Sequence, residues 1–416
     1  MAGPLSHIRI LDLSRILAGP WAGQVFADLG AEVIKVERPG TGDDTRGWGP
    51  PFLTDSEGNP TSDAAYFLSA NRGKKSVTID FTKPEGRDLI CQLASQADII
   101  IENFKVGGLS KYGLDYESIK KICPKIIYCS ITGFGQTGPY SHRTGYDFLI
   151  QSMGGLMSIT GAPDDEPGGG PMKVGVAVVD IFTGMYASTA ILAALTHRER
   201  TGEGQYIDLS LLDVQVATLA NQAMNYLVTG KSPVRRGNAH PNIVPYQACA
   251  TADGHIVLTV GNDEQFHKLC VVANRPELSE DERFATNEAR VCNREILMPI
   301  LLGILKGRSS SEWIQALGKA RVPCGPINTL HEVFTDPQVL VREMRIELEH
   351  PLAGTVPLVG NPMKFSATPV VYDRVPPLLG DSNDEILCDL LGLDKVKYTE
   401  LQAAGVIGEG TVAVKP

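Results

Sequence analysis

Asp180 is the residue whose setting most asks for a chemical explanation. It stands in "KVGVAVVDIFTGMYAS", Lys173–Ser188, after a run of small apolar residues that reads as core. An ionised carboxylate there is costly unless something compensates it. The stretch "DIFTGMYASTAILAALTHRERTG" is expected to be a helix, with Ile181, Met185, Ile191, Leu192 and Leu195 on its inward face. His197, Arg198, Arg200 and then Gly202 close it. Asp180 is therefore expected as the N-cap, which is the ordinary role of an aspartate in that place. The same geometry has a chemical use. Helix-terminal N–H groups and the helix dipole would keep the carboxylate ionised at neutral pH, and such a group can act as a covalent nucleophile.

Several cations stand near expected strand ends. Arg38 and Arg46 flank the turn "ERPGTGDDTR", and Arg72, Lys74 and Lys75 lie in "NRGKKS". Singly, each reads as a solvated surface residue. Gathered at one sheet edge, they point to an anionic ligand, for which arginine suits bidentate contacts. Gly133, Gly135 and Gly138 spell GxGxxG directly after a strand. Pro139 follows, no apolar helix opens, and no acidic residue ends a second strand about 20 residues on, so NAD and flavin are rejected. The eight histidines lack metal-like spacing, and no metal site is expected.

The elements that must position these residues alternate. "IRILDL" (8–13), "AEVIKVE" (31–37), "SVTID" (76–80), "DIII" (98–101) and "KIIYCSI" (125–131) read as strands. Helices are expected at 20–30, 83–97 and near 115–123. This implies an α/β fold with a parallel sheet covered on both faces, and ligands at the carboxyl ends of its strands. From about Pro233 the texture changes. "YQACATADGHIVLTV" (246–260) reads as a hairpin turning at Asp253-Gly254, followed by helices near 286–307 and 311–320 and a final helix at 383–392.

The 416 residues fit a large and a small domain. The net charge of −10 argues against nucleic acid or an anionic membrane as partner. Cys91, Cys123, Cys129, Cys249, Cys270, Cys292, Cys324 and Cys388 form no CxxC pair and read as free thiols in a reducing compartment. No apolar run is read as membrane-spanning and no leader pattern is seen, so a cytoplasmic protein is expected.

Taken together, "RILDLSRILAGPWAGQVFADLGAEVIKVERPGTGDDTR", "ANRGKKSVTIDF", "ENFKVGGLSKYGL", "SITGFGQTGP", "VGVAVVDIFTGMYA", "GNAHPNIVPYQ" and "PPLLGD" resemble the family III CoA-transferases. The resemblance runs in order along nearly the whole chain. It implies a large, doubly wound, Rossmann-like domain from residues 1–226 and 331–416, a small inserted α+β domain at 227–330, and an interlocked homodimer. It implies coenzyme A as an acyl-carrying substrate and no permanently bound cofactor. It places Asp180 as the nucleophile that passes through an anhydride and an aspartyl-CoA thioester. By the same resemblance Leu17, Ala18, Arg38, Ile79, Thr82, Asn103, Phe104, Lys111, Arg143, Tyr146 and Asp147 are CoA contacts.

Two departures bear on specificity. The related 2-methylacyl-CoA racemases carry "GHD" where this chain has Gly145-Tyr146-Asp147, and a phenol with a pKa of about 10 is a poor proton-transfer substitute for histidine. Where formyl-CoA:oxalate transferases have a run of glycines, this chain has "RRGNAHPN". That loop and "GDDTRGWGPPF" look most like the transferases that move CoA from succinyl-CoA to dicarboxylic acids such as glutarate or itaconate. Arg46 or His240 is the expected partner of the acid's distal carboxylate. An isomerase of the racemase type, or an oxalate- or carnitine-type transferase, is the alternative.

Overall fold

The computed structural model describes residues 3–410, which fall into two compact units. The first gathers the chain up to Gly155, Val174–Ala223, and the chain from Pro337 onward. The second gathers Leu156–Lys173 and Met224–Asp336. The stretch 156–173, which the sequence assigned to the large domain, thus groups with the small one.

In the first unit β1 (Arg9–Asp12) leads into α1 (Ala18–Asp28) and β2 (Glu32–Glu37). A short hairpin, β3 (Phe52–Thr54) and β4 (Pro60–Ala64), and a single helical turn, α2 (Ala65–Leu68), come before β5 (Lys75–Thr78). Then follow α3 (Pro84–Ser95), β6 (Ile99–Glu102), α4 (Tyr116–Ile122), β7 (Ile127–Thr132) and α5 (Asp147–Met153). After α6 (Leu156–Ile159) of the second unit, the long α7 (Val178–Thr201), β8 (Tyr206–Ser210) and α8 (Leu211–Thr218) complete the series. The strands form one sheet in the order β5-β2-β1-β6-β7-β8, every neighbouring pair parallel.

Alternate residues of each strand feed opposite faces, as the two-residue period requires. Leu11, Ile34, Val77 and Ile100 pack with Leu89, Ile90 and Leu93 of α3 on one side. Ile10, Val33, Ile99 and Ile101 pack with Phe26 of α1 and Ala187 and Ile191 of α7 on the other. Strand order reverses between β1 and β6, which is where sheets of this kind open a crevice. The C-terminal stretch closes the β5 edge: Asn383 Oδ1 accepts from Thr78 N–H at 2.8 Å and Asp80 N–H donates to Val406 O at 2.7 Å.

The helix α7 departs from expectation in three ways. It starts at Val178, so Asp180 is its third residue and not its cap. Ile191 and Leu195 are buried as expected, but the buried face of its first half is the small one, Thr183, Gly184, Ala187 and Ser188, and Phe182, Met185, Tyr186 and Leu192 are exposed. Close packing on α1 explains this: a Cβ on Gly184 would lie 2.8 Å from Ala18 O and 3.0 Å from the Trp21 side chain. By length and composition α7 could also cross a membrane, contrary to the sequence reading, but half of its apolar window is buried inside the fold. The run before it, read as core, is largely at the surface, with Val176 58% exposed.

The second unit holds an antiparallel sheet, β9 (Tyr246–Ala250), β10 (His255–Thr259) and β11 (Cys324–Gly325), covered by helices at Asp263–Val272, Arg294–Leu305 and Ser310–Lys319. The hairpin turn falls at Asp253-Gly254 as expected. Back in the first unit, the hairpin of β12 (Arg345–His350) and β13 (Gly354–Val359) was not read from the sequence. The expected final helix is a short π-helical stretch, Glu385–Leu390, and the last helix is Lys395–Ala403.

The cations at the sheet edge serve the fold. Lys74 Nζ meets Asp12 Oδ2 at 3.0 Å, both side chains fully buried, and Arg72 grips Asp28 with two nitrogens. Lys75 pairs with Glu32 and Glu385. These three members of the cluster expected to receive an anion are therefore neutralised from within. Burial raises the Asp12 carboxyl, but Lys74 and Lys35 outweigh it and leave its pKa below the usual value. Lys74→Ala would strand that carboxylate, and the expected loss is about 3–5 kcal/mol in denaturant unfolding. A loss under about 1 kcal/mol would show that the pair does not brace the sheet.

Candidate active site

A cleft of about 1080 Å³ opens at the carboxyl ends of β1, β2, β5, β6 and β7, at or slightly above the roughly 300–1,000 Å³ usual for small-molecule sites. Asp180 forms part of its lining. Leu17 and Ala18 enter from the loop after β1, Arg38 from the end of β2, and Ile79 and Thr82 from the end of β5. Asn103, Phe104 and Lys111 follow β6, and Arg143 and Tyr146 follow β7. The residues from 17 to 146 meet because each lies in a segment that follows a parallel strand, and Asp180 joins them from the first turn of α7.

Their local contacts divide them. Arg38 is exposed and carries no ion pair among the described residues. Lys111 is exposed beside the Tyr112 ring, and Arg143 lies over the rings of Phe134 and Tyr140 at 5.1 and 4.9 Å. These are cations at the mouth of the cleft, suited to phosphate groups. Asn103 faces inward to the chain: its Oδ1 accepts from Arg15 N–H at 2.9 Å and its Nδ2 donates to Arg15 O at 2.7 Å. It ties the β6 loop to the β1 loop. Phe104 packs edge-on against Phe81, which also touches Tyr112. Phe81, Arg15 and Lys105 line the cleft as well. Phe81 falls within 79–82, the stretch whose ends the resemblance names, whereas Arg15 and Lys105 escaped sequence reading, although the strand-end rule points to the segments that carry them.

The glycine loop after β7 has a use unrelated to a dinucleotide. A Cβ on Gly133 would lie 2.8 Å from Gly145 Cα, so the two backbones cross in contact. That crossing brings Arg143–Tyr146 over the strand end.

Three expected site residues have partners of their own within the fold. Arg46 lines the cleft, but four of its five N–H donors are engaged within the fold: Nε and Nη2 bond Glu37, Nη1 bonds Asp63, and Nη2 also reaches Pro377 O. The group is buried and stacked 3.7 Å from the Phe67 ring. Asp147 is not part of the cleft wall. It is buried, and its carboxylate turns to the start of α7, accepting from Val179 N–H at 2.8 Å. It therefore takes the capping place expected of Asp180. His240 belongs to the second unit, where its Nδ1 accepts from Asn242 N–H at 3.1 Å. Burial and the nearby Arg294 lower its pKa, so it is less cationic at neutral pH than a free histidine.

Asp180 itself is buried, and no ion pair involves it among the described residues. Burial, and then the charge of Asp147, push its carboxyl up to about 7. The Tyr66 phenol, from α2, is raised by burial and then by the charges of Asp180 and Asp147. The α7 dipole favours the anion, but burial opposes it more strongly. The result is a carboxylate of raised energy facing the cleft, a fitting nucleophile for an activated acyl group.

The sequence matches CoA-transferase family III over residues 5–383. The chain belongs to that family. This CoA-transferase is 52% identical to a succinate–glutarate CoA-transferase of Agrobacterium fabrum over 392 residues, 94% of this chain and 97% of the relative. It is 45% identical to the succinyl-CoA:glutarate CoA-transferase of Homo sapiens over 406 residues, 98% of this chain and 90% of the relative. Among solved structures, a CAIB/BAIF family protein from Brucella suis superposes with a TM-score of 0.81 at 52% identity, covering 94% of this chain and all of that one.

An unfolded aspartate titrates near 3.8, and Asp180 in the fold near 7. Its ionisation thus costs stability, increasingly as pH rises from about 4 and fully above about 7. Asp180→Asn removes the cost. At pH 8 the variant is expected to be more stable than wild type by about 2–4 kcal/mol, and at pH 5 by less. Equal gaps at the two pH values in denaturant titrations would contradict a buried, titrating Asp180.

Proposed function

We propose that this enzyme moves CoA from succinyl-CoA to a small dicarboxylic acid, with glutarate as first choice, through covalent intermediates on Asp180. The buried carboxylate lining the cleft carries the reading, and the names of the relatives supply the substrates. In the first half-reaction an Asp180 oxygen attacks the thioester carbonyl. The carbon–sulfur bond breaks, giving a mixed anhydride and CoA thiolate. The thiolate attacks the aspartyl carbonyl, forming an aspartyl-CoA thioester and releasing succinate. The acceptor carboxylate then runs the same steps in reverse. Asp180, its carboxyl at about 7, attacks in its ionised form, about half of the enzyme at neutral pH, and the thiolate and the acceptor acid are anions already, so no general base is needed. The anhydride is high in energy, and binding of the remote nucleotide at Arg38, Lys111 and Arg143 offsets part of its cost. Water must be excluded while either intermediate stands.

The exposed apolar side chains of the first unit support a homodimer. Phe148, Leu149, Phe182, Met185, Tyr186 and Val216 lie on α5, α7 and α8, which pack together. A lone chain rarely leaves so many large apolar groups in water on neighbouring helices, and a second copy is the proposed cover.

Enzyme incubated with succinyl-CoA and then hydroxylamine should carry a hydroxamate on the Asp180 peptide, read by mass spectrometry. Asp180→Ala should show neither adduct nor transfer. Turnover should be highest with a C4–C5 dicarboxylate in a panel of glutarate, itaconate, mesaconate, malate, oxalate and carnitine. Adduct formation elsewhere, or full transfer by Asp180→Ala, overturns the mechanism. Turnover with oxalate or carnitine alone overturns the acceptor class.

A further inference from the structure

We propose that Asp147 and Gln151 form a two-point clamp that positions Asp180 for attack. The inference rests on the reading of Asp180 as the nucleophile. Both residues lie on α5, one turn apart, so their side chains leave the helix on the same side. Both are buried. Asp147 Oδ2 accepts from Val179 N–H at 2.8 Å, with Asp180 N–H at 3.4 Å. Its Oδ1 accepts from Gln151 Nε2 at 2.6 Å. Gln151 Oε1 in turn accepts from Val174 N–H at 2.9 Å. The pair therefore grips the chain at both ends of 174–180, the stretch that delivers the nucleophile to the cleft.

What lies between the two grips explains why they are needed. Residues 174–177 belong to neither helix nor strand, and Gly175 and Val176 are exposed. Ala177 offers no side-chain cap to α7. Without an external acceptor the first N–H groups of the helix would lack a partner, and the first turn would fray. Asp180 stands in that turn. A carboxylate is the strongest such acceptor at a helix start, and Gln151 fixes its rotamer by taking up the other oxygen. Asp147 thus acts through Asp180 as a positioning residue, and no direct contact with substrate is assigned to it.

The test is a rate of covalent labelling. Full-length enzyme is mixed with saturating succinyl-CoA, quenched at intervals into hydroxylamine, and the rate constant for modification of the Asp180 peptide is measured. CoA affinity is measured separately. Asp147→Ala is expected to slow labelling about 10- to 100-fold, the scale set by misplacing a reacting group by about 1 Å, while CoA affinity changes less than about twofold. Asp147→Asn leaves one acceptor for two donors and should also be slow. Combining it with Gln151→Glu reverses the polarity of the link between the two side chains. The new amide oxygen takes Val179 N–H, its nitrogen donates to the new carboxylate, and that carboxylate keeps Val174 N–H. This double variant should return to within about threefold of wild type, because it restores every bond of the clamp.

If Asp147→Ala does not fold, the double variant carries the test alone. A double variant as slow as Asp147→Asn overturns the clamp. So does an Asp147→Ala enzyme that labels as fast as wild type but binds CoA poorly, which would return Asp147 to the CoA wall. Wild-type enzyme that is not labelled at Asp180 overturns the nucleophile assignment itself, and is distinguished from the other outcomes by needing no variant.

Discussion

Taking a carboxylate out of water raises its free energy, and in this enzyme no cation is paired with Asp180 to bring it down again. The first unit is arranged around that constraint. Its dipole-bearing helix starts beside the carboxylate, Gly184 lets that helix sit hard against α1, and Asp147 holds the first turn together. A partner arginine would have made the site more stable and Asp180 less reactive. Cations of the cleft such as Arg38, Lys111 and Arg143 stand instead at the strand-end loops where the nucleotide of an acyl-CoA is proposed to bind.

The buried ion pairs are the second layer of the same design. Lys35 meets Asp43 at 2.8 Å and holds it down to about 2 against the pull of burial. Arg46 joins Glu37 on β2 to Asp63 on β4. These pairs stiffen the loops after β1 and β2 from beneath, so that the cleft wall above them keeps its shape. Buried pairs of this sort add little net stability over apolar packing, yet losing one partner is costly, which makes them better at fixing geometry than at strengthening a fold.

The sheet was legible in the sequence because its signals are local. Runs such as "IRILDL" and "KIIYCSI", with Pro84 opening a helix and Gly30 closing one, state their own structure. The segments that line the cleft were legible for the same reason, since they follow the strands, whereas the individual residues in them were named only by the family resemblance. What could not be read was any choice of partner. Arg72, Lys74 and Lys75 look alike as free or paired cations until Asp28, Asp12 and Glu32 are brought to them by tertiary folding. The α7 face was read correctly at Ile191 and Leu195 and misread at Met185 and Leu192, because size decided it: Gly184 and Ala187 allow close approach to α1, and the larger side chains are turned out. Asp180 was assigned as a cap because nothing in its own segment reveals that Asp147, far back in the chain, fills that place.

The central claim is that Asp180 exchanges an oxygen with the acids it serves. A single turnover with succinyl-CoA and glutarate labelled with oxygen-18 in the receiving carboxylate tests it directly. The acceptor oxygen that bridges the second anhydride stays on the enzyme when the thiolate takes the acyl group, so the account predicts oxygen-18 in the Asp180 side chain and one labelled oxygen in the new thioester. Glutaryl-CoA formed with the Asp180 peptide unlabelled would contradict it.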